Sequence, residues 1–324
     1  MQNTLPQEFI DQVKNIYKTK SQNILKTFEK SKPTTFRVNT LKAKKEEVLA
    51  ELSKLGIITK LGPLQNSFIV TKDKKSLSRT SLFEDGKIYI QELSSMIPPL
   101  VLNPKEEEYI LDMTAAPGSK TTQLATLSNN KAKILAIEKN KVRFQILKHN
   151  IQLQNAKVKI KNEDAFVLNK KYSEFINFFD KILLDAPCSA EGRFDLSNTR
   201  SYKFWNKNKK KEMARHQKGL ILNAINMLKP GGILVYSTCT INTMENEEVV
   251  DWLMYRINKS KSSQSEFISE SRIKVLPINL NLPNIMHGFT KIDGKELNKQ
   301  IKNTVRIVPN ELFNAFFIAQ IQKY

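Results

Sequence analysis

Lys181-Ile182-Leu183-Leu184-Asp185-Ala186-Pro187-Cys188 and Gly232-Ile233-Leu234-Val235-Tyr236-Ser237-Thr238-Cys239 carry the only two cysteines of the chain, each just past a short apolar run. Runs of this length, rich in Ile, Leu and Val and bounded by turn residues, read as strands buried on both faces of a parallel sheet. Each thiol then stands at the carboxyl end of a strand, where open α/β sheets place their ligand crevice. The matched positions predict that both thiols face one crevice and that one of them is a nucleophile.

Outward from these two stretches, strand and helix alternate, the pattern of a parallel sheet covered on both faces. Strands are predicted at Tyr109 to Met113, Ile134 to Ile137, Val158 to Ile160, Asp180 to Leu184 and Ile233 to Tyr236. Predicted helices fill Lys120 to Leu127, Lys141 to Gln154, Lys211 to Leu228 and Glu245 to Ile257. Lys229-Pro230-Gly231-Gly232 reads as a stop before the fifth strand. Ahead of this domain, residues 1 to about 30 read as helical, and Lys32-Pro33 breaks the pattern. A strand-like Thr35 to Thr40, a helix from Lys44 to Leu55 and strands near Ile57 to Leu61 and Ser67 to Val70 form a small α+β module. Residues 1–86 hold 16 basic and 9 acidic side chains, which predicts a substrate-gripping module, with residues 87–324 as the larger domain. Asn258 to Arg272 reads as a flexible Ser/Lys-rich insertion, and Thr304 to Val308 and Ala315 to Ile321 as a terminal strand pair.

Lys and Arg number 52 against 32 acids in 324 residues, a net charge of +20. That is the electrostatic footprint of a protein that meets polyphosphate, and with no basic amphipathic anchor it points to nucleic acid rather than membrane. Arg193 to Lys218 interleaves nine basic residues with Tyr202, Phe204 and Trp205. Such a stretch binds phosphates and stacks bases, or else is a solvated loop whose aromatics tuck under the domain. No run approaches the ~18 consecutive apolar residues of a membrane span, and no signal peptide is evident, so a cytoplasmic protein is predicted, with a monomer as the default. Two cysteines cannot form a disulfide scaffold. They do not read as metal ligands either, since there is no Cys-x-x-Cys pair and no His at ligand spacing.

The turn after the first strand of the sheet is Asp112-Met113-Thr114-Ala115-Ala116-Pro117-Gly118-Ser119-Lys120-Thr121. Its small residues let backbone approach a ligand, and the following helix offers its N-terminal amides. A dinucleotide fingerprint needs three glycines and a Walker loop needs Gly directly before Lys, so NAD and nucleotide hydrolysis are disfavoured. Glu138 ends the second strand, 26 residues after Asp112. A carboxylate there can accept both ribose hydroxyls of a nucleoside cofactor. Asp164 follows the third strand and Asp185 ends the fourth.

With these motifs in place, the sequence closely resembles the Nop/Sun family of RNA cytosine-5 methyltransferases over about Phe36 to Ala319. The resemblance includes Arg37-Val38-Asn39-Thr40-Leu41-Lys42, Gln91-Glu92-Leu93-Ser94-Ser95-Met96 and Glu245-Asn246-Glu247-Glu248. It implies a class I S-adenosylmethionine-dependent methyltransferase sheet, α/β and mostly parallel, with an antiparallel seventh strand supplied by the terminal pair. Cofactor contacts carry over to Thr114, Ala115, Ala116, Pro117, Gly118, Ser119 and Lys120, to Glu138 and Arg143, and to Asp164 and Asp185. The sequence departs from the family with Thr114 where Cys is frequent, Ser119 where a second Gly is usual, and Ala190 where Gly is common. No extra RNA-binding domain of the kind seen in some relatives is expected within this sequence.

The chemistry accounts for the residue types. Carbon 5 of cytosine is a poor nucleophile, and adding a thiolate at carbon 6 turns the ring into an enamine-like species. The resemblance makes Cys239 that nucleophile, in contrast to the Pro-Cys nucleophile of DNA cytosine-5 enzymes, and assigns Cys188 to product release. It gives Asp185 the pyrimidine edge, with Lys120 steadying Asp185 and the cytosine carbonyl. The implied substrate is tRNA or rRNA, with the target base brought out of its stack. An amino-group methyltransferase would want Asn/Asp-Pro-Pro-aromatic where this chain has Asp185-Ala186-Pro187-Cys188. A non-catalytic RNA-binding assembly factor with the same fold is the alternative from another class.

Overall fold

The computed structural model describes residues 4–72, 77–259 and 272–324. In order, these form α1 (Gln7–Tyr17), α2 (Ser21–Lys26), β1 (Thr35–Val38), α3 (Lys45–Lys54), β2 (Thr59–Leu61), β3 (Ser67–Val70), α4 (Ser81–Glu84), β4 (Ile88–Ile90) and α5 (Leu93–Leu102). There follow β5 (Tyr109–Asp112), α6 (Ser119–Leu127), β6 (Lys133–Ile137), α7 (Lys141–Leu153), β7 (Val158–Lys161), α8 (Leu168–Lys171), β8 (Phe179–Asp185), α9 (Lys207–Met227) and β9 (Leu228–Thr238). The C-terminal part holds α10 (Glu247–Lys259), β10 (Ile273–Leu276), β11 (Ile285–His287), the short β12 (Lys291–Ile292) and β13 (Lys295–Glu296), β14 (Val305–Ile307) and β15 (Phe316–Lys323). Of the predicted insertion, residues 260–271 lie outside the described residues.

The chain divides into two compact units. One comprises Pro33–Asp185, Leu222–Tyr236 and Ile321–Tyr324. In it β5 pairs in parallel with β6 (Leu111 opposite Leu135) and with β8 (Leu111 opposite Ile182), and β6 with β7 (Ala136 opposite Ile160). Ile110, Leu111, Ile182, Leu183 and Leu184 are fully buried, as strands covered on both faces must be. Gly232 of β9 has no side chain for a reason: a Cβ there would stand 2.9 Å from the Asp180 carbonyl oxygen. The predicted stop at 229–232 therefore belongs to β9, whose glycine permits the close approach. The same unit holds an antiparallel sheet of order β2-β3-β1-β4, over a core in which the Phe36 and Phe68 rings stack at 5.4 Å.

The other unit comprises Met1–Lys32, Ala186–Ile221 and Ser237–Gln320. Here β14 is antiparallel to both β15 (Val305 opposite Ile318) and β11. The predicted terminal strand pair is therefore present, and β10 and β11 extend it, so the sheet has nine strands in the order β11-β14-β15-β9-β8-β5-β6-β7 with β10 on β15. This is the α/β architecture with a mostly parallel centre.

On the apolar face of α1, Phe9, Val13 and Tyr17 are joined by Ile24 and Phe28 and buried with Phe194, Tyr202, Ile241 and Ala315. Phe9 meets Phe28 edge-on at 5.3 Å and Phe194 at 4.7 Å. Residues 1–32 thus find their core with the chain around residues 194–202, while residues 33–86 group with the parallel strands. Truncating Phe9 to Ala should cost about 3–5 kcal/mol of unfolding free energy, the usual range for a fully buried Phe. Urea denaturation checks it, and a loss below about 1 kcal/mol, the scale of an ordinary point substitution, would mean that α1 is not part of this core.

Candidate active site

The turn after β5 is built by one left-handed residue and a set of buried polar contacts. Gly118 has φ +106°, and a Cβ on it would meet Leu147 Cδ1 at 3.1 Å, so glycine is needed here for conformation and for space. Ser119, where a second glycine is usual, simply begins α6. The Ala115 amide donates to the Ile137 carbonyl at 2.9 Å, and the Ala116–Pro117 bond is cis. Beneath the turn, the buried Asp112 carboxylate accepts the Thr121 hydroxyl at 2.7 Å. Burial pushes its pKa up to about 6, against the Thr121 hydrogen bond.

Glu138 is buried at the end of β6, accepting the Asn140 amide at 2.8 Å with Arg143 Nη1 3.5 Å away. Arg143 Nη2 also donates to the Ala116 carbonyl at 2.5 Å and so ties Glu138 to the turn. Asp164, past β7, accepts the Phe166 amide at 2.9 Å and lies 3.7 Å from Lys139 Nζ. Because β5, β6 and β7 are consecutive parallel neighbours, the glycine turn, Glu138 and Asp164 follow one another along the carboxyl edge of the sheet. A row of a backbone turn and two carboxylates is a donor and acceptor set that can hold a cofactor carrying a nucleoside.

At the end of the next strand, Lys120 Nζ stands 2.6 Å from Asp185 Oδ2 and donates to Ser95 Oγ at 2.8 Å. Thr114 Oγ1 donates to the Asp185 carbonyl at 2.8 Å, so the turn and the end of β8 are fastened together. Lys120 is almost wholly buried and Asp185 partly exposed.

The two thiols are half-buried, and their sulfurs are 3.3 Å apart. Each cysteine follows a strand end, and the loops after these strands are laced by hydrogen bonds. Ala186 donates to Ser237 O at 2.8 Å, Gly192 to Cys239 O at 2.9 Å, and the Ser189 and Thr240 hydroxyls meet at 2.9 Å. The Cys188 thiol is pushed well above its ordinary pKa by its hydrogen bond with Cys239, by burial and by Glu245. Either sulfur can donate the hydrogen bond between them.

Several residues that hold these loops were not singled out from the sequence as site residues. Glu245, read only as part of a motif, accepts the Ser189 amide and Gln217 Nε2, both at 2.9 Å, and Gln217 also donates to the Pro187 carbonyl. Glu191 is buried and takes hydrogen bonds from Gln12, Thr240 and Trp205. Ala190 has φ +57°, which accounts for the usual glycine at this place and costs an alanine about 1–2 kcal/mol. Gly192 is required by a close approach, since a Cβ would stand 2.3 Å from Ala315 O. In the basic stretch, Tyr202 and Trp205 belong to the core around Phe9, while Phe204 is 74% exposed with Lys203 Nζ 5.7 Å from its ring. Of the three aromatics in the stretch, two are therefore packed into that core and one is exposed. Among the described residues, no group of three or more His, Cys, Asp or Glu side chains is placed to hold a metal ion, and no helix is long and apolar enough to cross a membrane.

Comparison with known proteins gives this arrangement its class. Residues 99–322 match the family 16S rRNA methyltransferase RsmB/F, and residues 5–93 match the N-terminal domain of 16S rRNA methyltransferase RsmF. The chain is 37% identical over 297 residues to tRNA (cytosine(49)-C(5))-methyltransferase of Pyrococcus abyssi, covering 89% of this chain and 88% of that protein. It is also 37% identical over 257 residues to ribosomal RNA small subunit methyltransferase F of Vibrio atlanticus, covering 76% of this chain and 53% of that protein. This chain therefore spans about half the length of such bacterial relatives. A crystal structure of a methyltransferase homolog protein from Pyrococcus horikoshii superposes with a TM-score of 0.82 at 32% identity, over 98% of this chain and 95% of that one. The chain belongs to the RsmB/F methyltransferase family.

The buried Glu245 gives the thiol loops a pH dependence. Burial raises its pKa from 4.5 to about 7, outweighing the Ser189 and Gln217 hydrogen bonds. Between those two values the folded protein holds a proton that the unfolded chain has lost, so stability falls as pH rises through this window. Glu245→Gln should flatten that part of the profile, removing a slope worth on the order of 1–3 kcal/mol across it. Unfolding free energies of both proteins between pH 4.5 and 7.5 check it; parallel profiles would exclude Glu245 as the titrating group.

Proposed function

We propose that this chain is an RNA cytosine-5 methyltransferase that takes its methyl group from S-adenosylmethionine, acts on a cytosine of tRNA or rRNA, and does so through a covalent adduct on Cys239. The observation that carries the reading is the 3.3 Å separation of the Cys188 and Cys239 sulfurs.

The roles follow from the residues present. Glu138, the Ala115 to Gly118 backbone, Arg143 and Asp164 hold the cofactor. When bound, S-adenosylmethionine supplies an electrophilic methyl group. The Cys239 thiolate adds to carbon 6 of the cytosine, forming an S–C bond and pushing electron density toward carbon 5 and the ring carbonyl. The Lys120–Asp185 pair meets the pyrimidine edge, where negative charge develops, and stabilises it. After methylation the carbon 5 proton departs, the electron pair of that bond expels the Cys239 sulfur, and Cys188 serves this release. Lys and Arg side chains of residues 1–86 and of Arg193–Lys218, with the exposed Phe204 as a stacking surface, hold the RNA while the base leaves its stack.

Cys188→Ala, Cys239→Ala and the double variant test the reading. The Cys239→Ala protein should lose methyl transfer by at least ~10³-fold, in line with loss of a covalent nucleophile, while its dissociation constant for S-adenosylmethionine stays within about twofold. Cys188→Ala should accumulate an RNA adduct that survives denaturing electrophoresis, and the double variant should form none. Methyl incorporation by Cys239→Ala at the wild-type rate would sink the nucleophile assignment. Absence of incorporation by wild type into any small or ribosomal RNA would favour the non-catalytic reading.

A further inference from the structure

Arg37 lies in the motif Arg37-Val38-Asn39-Thr40-Leu41-Lys42, to which the reaction assigns no role. Its guanidinium is only 3% exposed, yet among the described residues no carboxylate pairs with it and its Nη1 makes no hydrogen bond. Burial draws its pKa down to about 10, so it remains charged near neutrality. Among the described residues its charge is met only by the Tyr89 ring, 5.0 Å from the guanidinium carbon, and a cation taken out of water without a carboxylate calls for something that it holds in place.

What it holds is the surroundings of Lys120. Nη2 donates to Thr122 Oγ1 at 2.6 Å and to the carbonyl of Ser119, the residue before Lys120, at 3.2 Å. Nε donates to Gln91 Oε1 at 2.9 Å, and Gln91 Nε2 donates to the carbonyl of Ser95 at 3.1 Å and to Gln123 Oε1 at 3.1 Å. The Ser95 hydroxyl accepts the Lys120 ammonium at 2.8 Å. Lys120 is thus gripped twice, its backbone through Ser119 and its ammonium through Ser95, and both grips lead back to Arg37. The neighbouring Asn39 and Lys42 fasten the same segment elsewhere: Asn39 Nδ2 donates to Gln154 O at 2.9 Å and Lys42 Nζ to Leu153 O at 3.0 Å, at the C-terminal end of α7. Cations and donors at a helix C-terminus satisfy carbonyls that have no partner within the helix.

We propose that Arg37, Gln91 and Ser95 are positioning residues that set the Lys120 ammonium against Asp185. The proposal rests on the methyltransferase reading, in which that ion pair meets the substrate pyrimidine. It makes the β1–β4 sheet more than a grip on RNA, since its central strand also aims a group of the reaction.

Gln91→Leu and Ser95→Ala separate positioning from general support, because the first cuts the link from Arg37 to Ser95 and the second removes the hydroxyl on Lys120. Each should lower the single-turnover rate of methyl transfer about tenfold or more, as misplaced reacting groups do, with KM for RNA and cofactor affinity within about twofold. In a Lys120→Met background neither substitution should lower the residual rate further, since the group that it positions is gone. Crystal structures of the two variants give a readout independent of turnover: Lys120 Nζ should leave Asp185, where it now stands at 2.6 Å. Retention of that pair in both variants, or an equal loss of rate with and without Lys120, overturns the proposal. If wild-type protein methylates no RNA, the enzymatic reading falls, while the variant structures still decide whether Arg37 and Gln91 place Lys120.

Discussion

Because β5, β6, β7 and β8 lie side by side, with every pairing among them parallel, their C-terminal residues all reach one edge of the sheet. The central strands β5 and β8 bury Ile110, Leu111, Ile182, Leu183 and Leu184 completely, so a polar group on them that meets a ligand sits at that edge. Asp112 and Asp185 end two of these strands, and Glu138 and Asp164 follow the other two. Two of these acids are buried, and each carries designated donors: Thr121 on Asp112, and the Asn140 amide and Arg143 on Glu138. The partly exposed Asp164 and Asp185 take contacts from Lys139 and from Lys120 and Thr114, respectively. A single turn with one left-handed glycine then brings backbone amides to the same edge.

The thiol loops obey a different constraint. Two sulfurs 3.3 Å apart need backbones that approach each other closely, and the chain achieves this with Gly192, a left-handed Ala190 and a lattice of buried hydrogen bonds through Glu191, Glu245 and Gln217. Burying two carboxylates in such a lattice is costly, and both are driven toward their neutral forms. Glu245 is also one of the groups that raise the pKa of the Cys188 thiol, after its hydrogen bond with Cys239 and burial.

Much of this was legible along the chain. Apolar runs bounded by turn residues placed β5 to β9 within a few residues, and the ordered acids pointed to the carboxyl edge. The same pattern could not place the helical N-terminus, because an amphipathic face such as that of Phe9, Val13 and Tyr17 states that it needs a partner without saying which. Phe194 and Tyr202, nearly two hundred residues further on, supply part of that partner. Likewise Tyr202, Phe204 and Trp205 are equally aromatic in the sequence, and only their packing separates the two core residues from the exposed one.

The sequence by itself determined the class of the fold, the two strand-end cysteines, the glycine turn and the acids in their order, because each is a local pattern or a spacing within one strand–turn–helix repeat. Tertiary structure alone decided that the sulfurs meet, that Glu245 and Glu191 lie buried beside their loops, and that an arginine at position 37 reaches the residue before Lys120. Hydrogen bonds between groups 82 or 56 residues apart leave no periodicity to read. Their energy depends on burial and geometry, and both exist only after the strands have come together.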